Sequence, residues 1–458
     1  MIYRLVRYLD SRTGRTPVVK KLLRYIFPDH WSFLLGEVAL YCFVVLVWTG
    51  IYLTFFFDPS IHSTIYHGEY GPLRGQEMSQ AYRSMLDLSF RYKAGLLMRQ
   101  THHWAADVFL VAITLHLVRV FFTGAFRKPR DLTYYVGILM LALAMFEGFA
   151  GYSLGDDLLS GMGLVIAYSV VLSIPFVGGN LALLIWHGPF PGTSEFISRL
   201  YIAHVLLVPV AIGVLLTIHL VTIVFTHHSQ FPGKRERESN VVGTPAWPGY
   251  AFRTIGLALS VTAVLFLLGG LVQINPVWEW GPYHTYQSTN GAQPDWYLGW
   301  LIGALRLMPG WEPHIGHYTL IPNAFWGGVL FPLIVFGFLF AWPSIERRIT
   351  RDYEFHHLLN RPRDVPWRTA VGVGFFTWVG MIFFAGSSDR VFVQMHISYT
   401  SQIHVYQALV FVLPFVAAWV AKRVCEELLR AEAHPLRGPG GGRVRRLPGG
   451  GFERVSRP

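Results

Sequence analysis

Eight stretches of this chain are apolar enough and long enough to cross a bilayer: 33–57, 104–123, 134–152, 201–226, 253–274, 323–342, 369–386 and 403–422. A spanning helix needs about 20 apolar residues, because each residue advances only about 1.5 Å along the axis. A further apolar stretch, 161–187, tests that count. If it crossed, Lys234, Arg235 and Arg237 would fall on the opposite side from the other basic loops, against the bias of cations toward the cytoplasm. It reads instead as two helices lying along the outer surface, broken at Pro175. Eight crossings then put the N-terminal tail, the loops near 124–133, 227–253 and 343–368, and the C-terminal tail on one side. Those segments hold most of the Lys and Arg, which marks that side, and both termini, as cytoplasmic.

The polar positions inside the spans carry the chemistry. His102 and His116 are fourteen residues apart in the second span, and His204 and His219 fifteen apart in the fourth. At about 100° per residue these spacings return to within roughly 40° and 60° of one helix face, some 21–22 Å along the axis. Imidazoles at membrane depth are costly, so four at matched spacing read as a site rather than as packing. Two facing helices of this kind offer two tiers of paired ligands, which suits two six-coordinate haems. Phase also separates neighbours: His103, thirteen residues before His116, faces about 220° away, so His102 is the ligand. Gly36 and Gly50 in the first span and Gly137 and Gly151 in the third repeat the fourteen-residue interval, and a residue without a side chain lets a flat macrocycle lie against a helix. Arg99 and Arg119 bracket the first histidine pair, placed to hold haem propionates.

Composition agrees with the hydropathy pattern. With 52% hydrophobic and 14% charged residues and a mean hydropathy of +0.38, the chain is an all-α integral membrane protein rather than a soluble domain. Its net charge of +11 is explained by topology, so nucleic-acid binding is not expected. The first thirty residues are basic but lack a short apolar core with a small-residue cleavage site, so no removable signal peptide is expected. Cys42 and Cys425 form no metal or disulfide pattern. The division expected is a cytoplasmic segment 1–32, a four-helix dihaem domain 33–228, a cytoplasmic linker 229–250, a C-terminal four-helix domain 251–422, and a basic, Gly-rich tail 423–458 suited to anionic lipid headgroups.

Together these residues resemble one family, the cytochrome b subunit of the cytochrome bc complexes. The resemblance runs from Trp31 to about Val420. It rests on Arg99 with His102, His116 with Arg119, both glycine pairs, Gly151-Tyr152 followed by Gly163, and Pro294-Asp295-Trp296-Tyr297 with Arg306 and Pro309. It implies a quinol:cytochrome c oxidoreductase with two non-covalent b haems, the outer on His102 and His204 and the inner on His116 and His219. It also implies an outer quinol site at Gly163, Pro294, Asp295, Trp296 and Tyr297, with Asp295 and Tyr297 in catalysis and Asp295 as the first proton acceptor. Quinol oxidation would send one electron to a Rieske iron-sulfur partner and the other through the haems to an inner quinone, with protons released outside and taken up inside. The remaining partners implied are a c-type cytochrome subunit, a second copy of the complex in a homodimer and membrane lipid.

The chain departs from the commoner pattern in several places. The fifteen-residue interval in the fourth span turns the second ligand by about 100°, so that helix must rotate or loosen locally. Gly155-Asp156-Asp157 replaces the usual Pro-Trp, and Asp295 stands where glutamate is commoner; Asp156 and Asp157 are read as capping the helix that follows. Leu34, where a cysteine would be needed, argues against a third covalent haem. Val224 replaces a histidine of the inner quinone site, leaving His227 and His228 as candidates there. These traits are similar to the Gram-positive, actinobacterial branch, which implies menaquinone and a supercomplex with a haem-copper oxidase in the bacterial cell membrane. Two other classes remain open from sequence: a dihaem quinone-linked membrane anchor of a dehydrogenase, and a transporter relaying protons through buried histidines.

Overall fold

A computed structural model describes residues 21–289, 295–433, 443–447 and 452–455, with Tyr8 and residues 11–12. Pro294, expected in the quinol site, lies outside the described residues, as does most of the Gly-rich tail. Eight helices among the described residues are long and apolar enough to span. In chain order the helices are α1 (Leu34–Thr54), α2 (Gln80–Phe90), α3 (Gly95–Thr123), α4 (Asp131–Ser153), α5 (Leu158–Leu172) and α6 (Gly178–Trp186). They continue as α7 (Glu195–Thr226) and α8 (Ala246–Leu271), then α9 (Gly299–Leu307), α10 (Trp326–Thr350) and α11 (Pro366–Ala385), and α12 (Ser388–Met395) and α13 (Tyr399–Ala433). The spans are α1, α3, α4, α7, α8, α10, α11 and α13.

The 161–187 stretch forms α5 and α6, with Pro175 between them, and neither is long enough to span. The start of α5 is chemically specified. Asp157 Oδ1 accepts from the backbone N–H groups of Leu159 at 3.0 Å and Ser160 at 3.3 Å, and Ser160 Oγ accepts from Asp157 N–H at 3.0 Å. This reciprocal cap satisfies amides that a helix start otherwise leaves orphaned. Asp157 is therefore the cap expected from the sequence; Asp156, at φ 49°, is the turn residue before it.

The loops gather at two ends as the even span count requires. At one end Ile26–Phe27 pairs antiparallel with Thr244–Pro245, Gln230 bridges Leu358, and His356 N–H donates to the Lys128 carbonyl at 2.9 Å. Arg363 pairs with Glu432 at 2.8 Å, which brings the end of α13 to the same place. This is the basic end. At the other, Asp157 bridges Pro282, Tyr82 donates to the Val277 carbonyl at 3.0 Å, and Arg306 grips Asp389 with two bonds of 2.9 Å.

Helices α1, α3, α4 and α7 pack as a bundle, with α8 against α1 and α3. The C-terminal helices join it through an aromatic cluster in which Phe121 and Tyr134 meet Phe331, Leu339, Trp342 and Ile382. The regular helix of the fifth span is Ala251–Leu271, entered through a kinked turn at Ala246–Tyr250 in which Trp247 is non-helical. One boundary differs from the hydropathy pattern. The last helix runs to Ala433, past 422, because its extension is built from charged residues that hydropathy discounts; Lys422–Glu426 at 3.4 Å and Arg430–Glu427 at 2.6 Å are pairs one turn apart.

Replacing Asp157 with Ala should cost about 1 kcal/mol, the usual loss on removing an N-cap. Thermal unfolding of the purified protein checks this, and an unchanged midpoint would mean that the cap is redundant.

Candidate functional site

Each of the four glycines faces one imidazole. A Cβ on Gly50 would lie 3.3 Å from the ring of His102, one on Gly151 2.5 Å from that of His204, one on Gly36 3.3 Å from that of His116, and one on Gly137 3.7 Å from that of His219. The four helices are thus in register in two tiers: Gly50, His102, Gly151 and His204 toward one end, and Gly36, His116, Gly137 and His219 toward the basic end. The rings of His102 and His204 have centroids 6.2 Å apart. A single metal between them, with bonds of about 2 Å to each ring nitrogen, accounts for that separation.

Three of the four imidazoles are polarised for ligation; the fourth, His116, has its Nδ1 buried without a hydrogen-bond partner. Thr49 Oγ1 donates to the Val45 carbonyl at 2.7 Å, so at 3.0 Å it accepts from His102 Nδ1. His204 Nδ1 meets the carbonyl of Glu147 at 3.2 Å and its carboxylate at 3.0 Å, and His219 Nδ1 meets the Thr133 carbonyl at 3.0 Å. With the proton held on Nδ1 by an acceptor, Nε2 keeps its lone pair for a metal. Thr49 and Glu147 went unnoticed in the sequence, although each is a polar residue inside an apolar run, Thr49 next to Gly50 and Glu147 one residue before Gly148.

The extra residue between His204 and His219 is absorbed where it arises. Residues Ala203–Leu207 form a single π turn, in which Val208 N–H reaches back five residues to the Ala203 carbonyl. One wide turn takes up one residue and restores the phase of His219 toward the bundle. Arg99 and Arg119 bring unspent donors to the two tiers. Arg99 Nη1 is bonded to the Asn275 carbonyl at 3.0 Å, while the Nε and Nη2 atoms of both arginines are buried without a protein acceptor. Buried guanidinium N–H groups call for an anionic partner. Glycine faces, free Nε2 atoms and unspent guanidinium groups all fit a flat, propionate-bearing macrocycle.

One cavity of about 820 Å³ takes in the second tier, lined by Gly36, His116, Gly137 and His219, and continues to the basic end past Arg119, Arg130, His227 and His228; a macrocycle held between the two histidines would occupy part of it. His228 Nδ1 is 3.0 Å from the Tyr25 hydroxyl, and its ring meets Phe27 edge-on at 5.0 Å. Burial, and then the Arg130 and Arg119 charges, push His228 down to about 4, so it is neutral near pH 7. Burial pushes Tyr25 up to about 12. His227 is exposed and turns its carbonyl to Arg130 Nη2 at 2.9 Å.

At the opposite end Asp295, Trp296 and Tyr297 meet the second span. His103 Nε2 lies 3.0 Å from Asp295 Oδ2, and Tyr297 donates to the same oxygen at 3.4 Å. Trp296 Nε1 donates to Asp107 Oδ1 at 2.9 Å. Polar atoms of His103, Asp107 and Asp295 all lie within 4.8 Å of one another. Tyr297 is buried, its hydroxyl 2.6 Å from where a Cβ on Gly148 would stand. Burial, then the Asp295 charge, holds its phenol well above the usual range. Gly163 is also buried, beside Phe149. Sequence reasoning turned His103 away from the haem face correctly, but gave no sign of what it met instead.

A family model described as "Cytochrome b(N-terminal)/b6/petB" matches residues 107–282. The cytochrome bc1 complex cytochrome b subunit of Mycobacterium leprae is 44% identical over 452 residues, 98% of this chain and 82% of that protein. The subunit of the same name from Streptomyces coelicolor is 43% identical over 456 residues, 99% of this chain and 83% of that one. This chain belongs to the cytochrome b family. A solved chain titled "Hyperthermophilic respiratory Complex III" is 19% identical with a TM-score of 0.68, covering 92% of this chain and 99% of its own length, which shows a shared fold. As a bc-type cytochrome b the chain is an integral protein of a bacterial plasma membrane that binds haem b. It is the catalytic core subunit of a quinol:cytochrome c oxidoreductase. The dehydrogenase-anchor and transporter readings fall away.

Gly151→Ala should lower the haem content of the purified protein, since the new methyl would stand 2.5 Å from the His204 ring. Gly213→Ala, where a methyl meets nothing within 4 Å, should leave it unchanged. A pyridine haemochrome assay compares the two; equal haem content would mean that the glycine faces are not required.

Proposed function

We propose that this cytochrome b holds two haems, one between His102 and His204 near the outer face and one between His116 and His219 near the cytoplasmic face. The observation that carries this is the pairing of every imidazole with a glycine in two tiers, each at the same depth on four helices. Arg99 and Arg119 would bind the propionates with their unspent donors. When bound, the two haems supply an electron path across the membrane. The basic end is read as cytoplasmic from its Lys and Arg content, so both termini face that side.

Quinol would be oxidised at the outer site, between Asp295, Trp296 and Tyr297 on one wall and Gly163 on α5 on the other, with Pro294 shaping the loop. Asp295 would accept the first proton. The Tyr297 hydroxyl bonded to its Oδ2 and His103 Nε2 3.0 Å from the same oxygen hold that carboxylate in place. Trp296 is fixed by Asp107. One electron would leave to a Rieske iron-sulfur protein and a c-type cytochrome subunit, and the other would cross to a quinone in the basic-end cavity, near His227 and His228. Neutral His228 is suited to hydrogen-bond a quinone oxygen. The resemblance to the actinobacterial branch extends the reading to menaquinone, a homodimeric complex, a haem-copper oxidase supercomplex, and lipid contact along the basic tail.

His219→Leu should reduce the haem-to-protein ratio from two to one and remove the inner haem's contribution to the reduced-minus-oxidised spectrum. Retention of both haems would sink the pairing. Asp295→Asn should slow quinol oxidation by about 10²-fold, the scale of general acid–base catalysis, with haem content intact. Loss of haem in that variant would make Asp295 structural instead.

A further inference from the structure

Two carboxylates line the basic-end cavity, Asp29 and Glu37. Asp29 is half exposed and paired at 2.5 Å with Arg253. Glu37 lies inside the first span, one residue after Gly36, whose face touches the ring of His116. A carboxylate at that depth is costly unless it is bonded and used.

Its bonding is directional. Thr254 Oγ1 donates to Glu37 Oε2 at 2.8 Å. Having given its proton to Glu37, the Thr254 hydroxyl can only accept from Tyr41, whose hydroxyl contacts it. Tyr250 lines the same cavity wall as Glu37 and Thr254. One residue from Thr254, Arg253 points outward to Asp29, and Thr244 Oγ1 donates to both Asp29 oxygens at 2.9 Å. The polar groups therefore form two clusters on the cavity wall: Asp29, Thr244 and Arg253 at the exposed rim, and Glu37 with Thr254 and Tyr41 beside the second histidine tier. Phe27 stacks on Tyr250 at 3.6 Å where the chain enters the bundle.

We propose that Glu37 is the proton-donating residue of quinone reduction in the basic-end cavity, held there by the Thr254 hydroxyl. This rests on the reading that the cavity takes quinone. Reduction needs two electrons, which two successive quinol oxidations at the other face supply one at a time, and two protons. In each transfer the carboxyl O–H of Glu37 breaks as an O–H forms on a quinone oxygen. The carboxylate left behind is reprotonated from water at the basic face, with the Thr254 hydroxyl holding it in position between turnovers.

The test uses the whole complex in membranes, with the haems reduced by quinol and their reoxidation by added quinone followed by stopped-flow absorbance. In wild type both phases are expected. Glu37→Gln keeps an acceptor for Thr254, so the helices stay joined and haem content and the reduction phase should match wild type. The reoxidation phase should slow by about 10²-fold. Glu37→Asp should restore most of the rate, and Thr254→Val, which strips the donor from Glu37, should slow it by about tenfold. Redox-induced infrared difference spectra should carry a carboxyl C=O band that Glu37→Gln removes. Unchanged reoxidation in Glu37→Gln, or loss of its haem, would overturn the assignment. A wild-type complex whose haems are reduced by quinol but never reoxidised by quinone would instead refute the cavity reading beneath it.

Discussion

Four glycine faces, each against one imidazole ring, govern how the first half of this chain can pack. A Cβ on Gly151 would stand only 2.5 Å from the His204 ring, so no larger residue there allows the same separation; on Gly36 and Gly50, at 3.3 Å, the facing ring would have to give by a few tenths of an ångström, and on Gly137, at 3.7 Å, it would make ordinary contact. The helices are thereby held in two registers at once, because each glycine pair and each histidine pair spans both tiers. A slip of one turn would bury side chains in both. The rest follows from that lock: α7 must keep phase across its extra residue, and the loops must close at fixed ends.

The lock was legible because helical geometry converts spacing into direction. Fourteen residues on α1, α3 and α4 return to one face, and the sequence shows that in three helices independently. The fifteen-residue interval was equally legible as a demand, for one residue too many requires a wider turn. The π turn at Ala203–Leu207 meets that demand beside His204 rather than midway. A proline at 209, where a backbone donor is missing anyway, confines the irregular turn to the segment before it.

What spacing could not show were contacts between elements distant in the chain. His103 and Asp295 are brought together only when the loop after α8 folds back over α3, and Glu147 reaches His204 only across the α4–α7 seam. Hydropathy also misjudged the end of α13, where pairs such as Lys422–Glu426 continue a helix that an apolar average cannot see. Phase analysis excluded His103 from the haem face, yet an excluded direction is not a partner. Buried polar residues left over after the motif is assigned, here His103, Asp107, Glu147 and Glu37, are where sequence reading has most to gain.

The two ends differ in chemistry in a way that suits opposite tasks. At one end Asp295 lies within reach of His103 and Asp107, so a proton arriving there enters a cluster of carboxylates with a base beside them. At the other, Arg119, Arg130 and Arg253 line the cavity, and burial with the Arg130 and Arg119 charges keeps His228 neutral. A cationic cavity favours an electron-rich, partly reduced guest and discourages stray positive charge, so protons must be delivered by a specific group rather than gather there unaided.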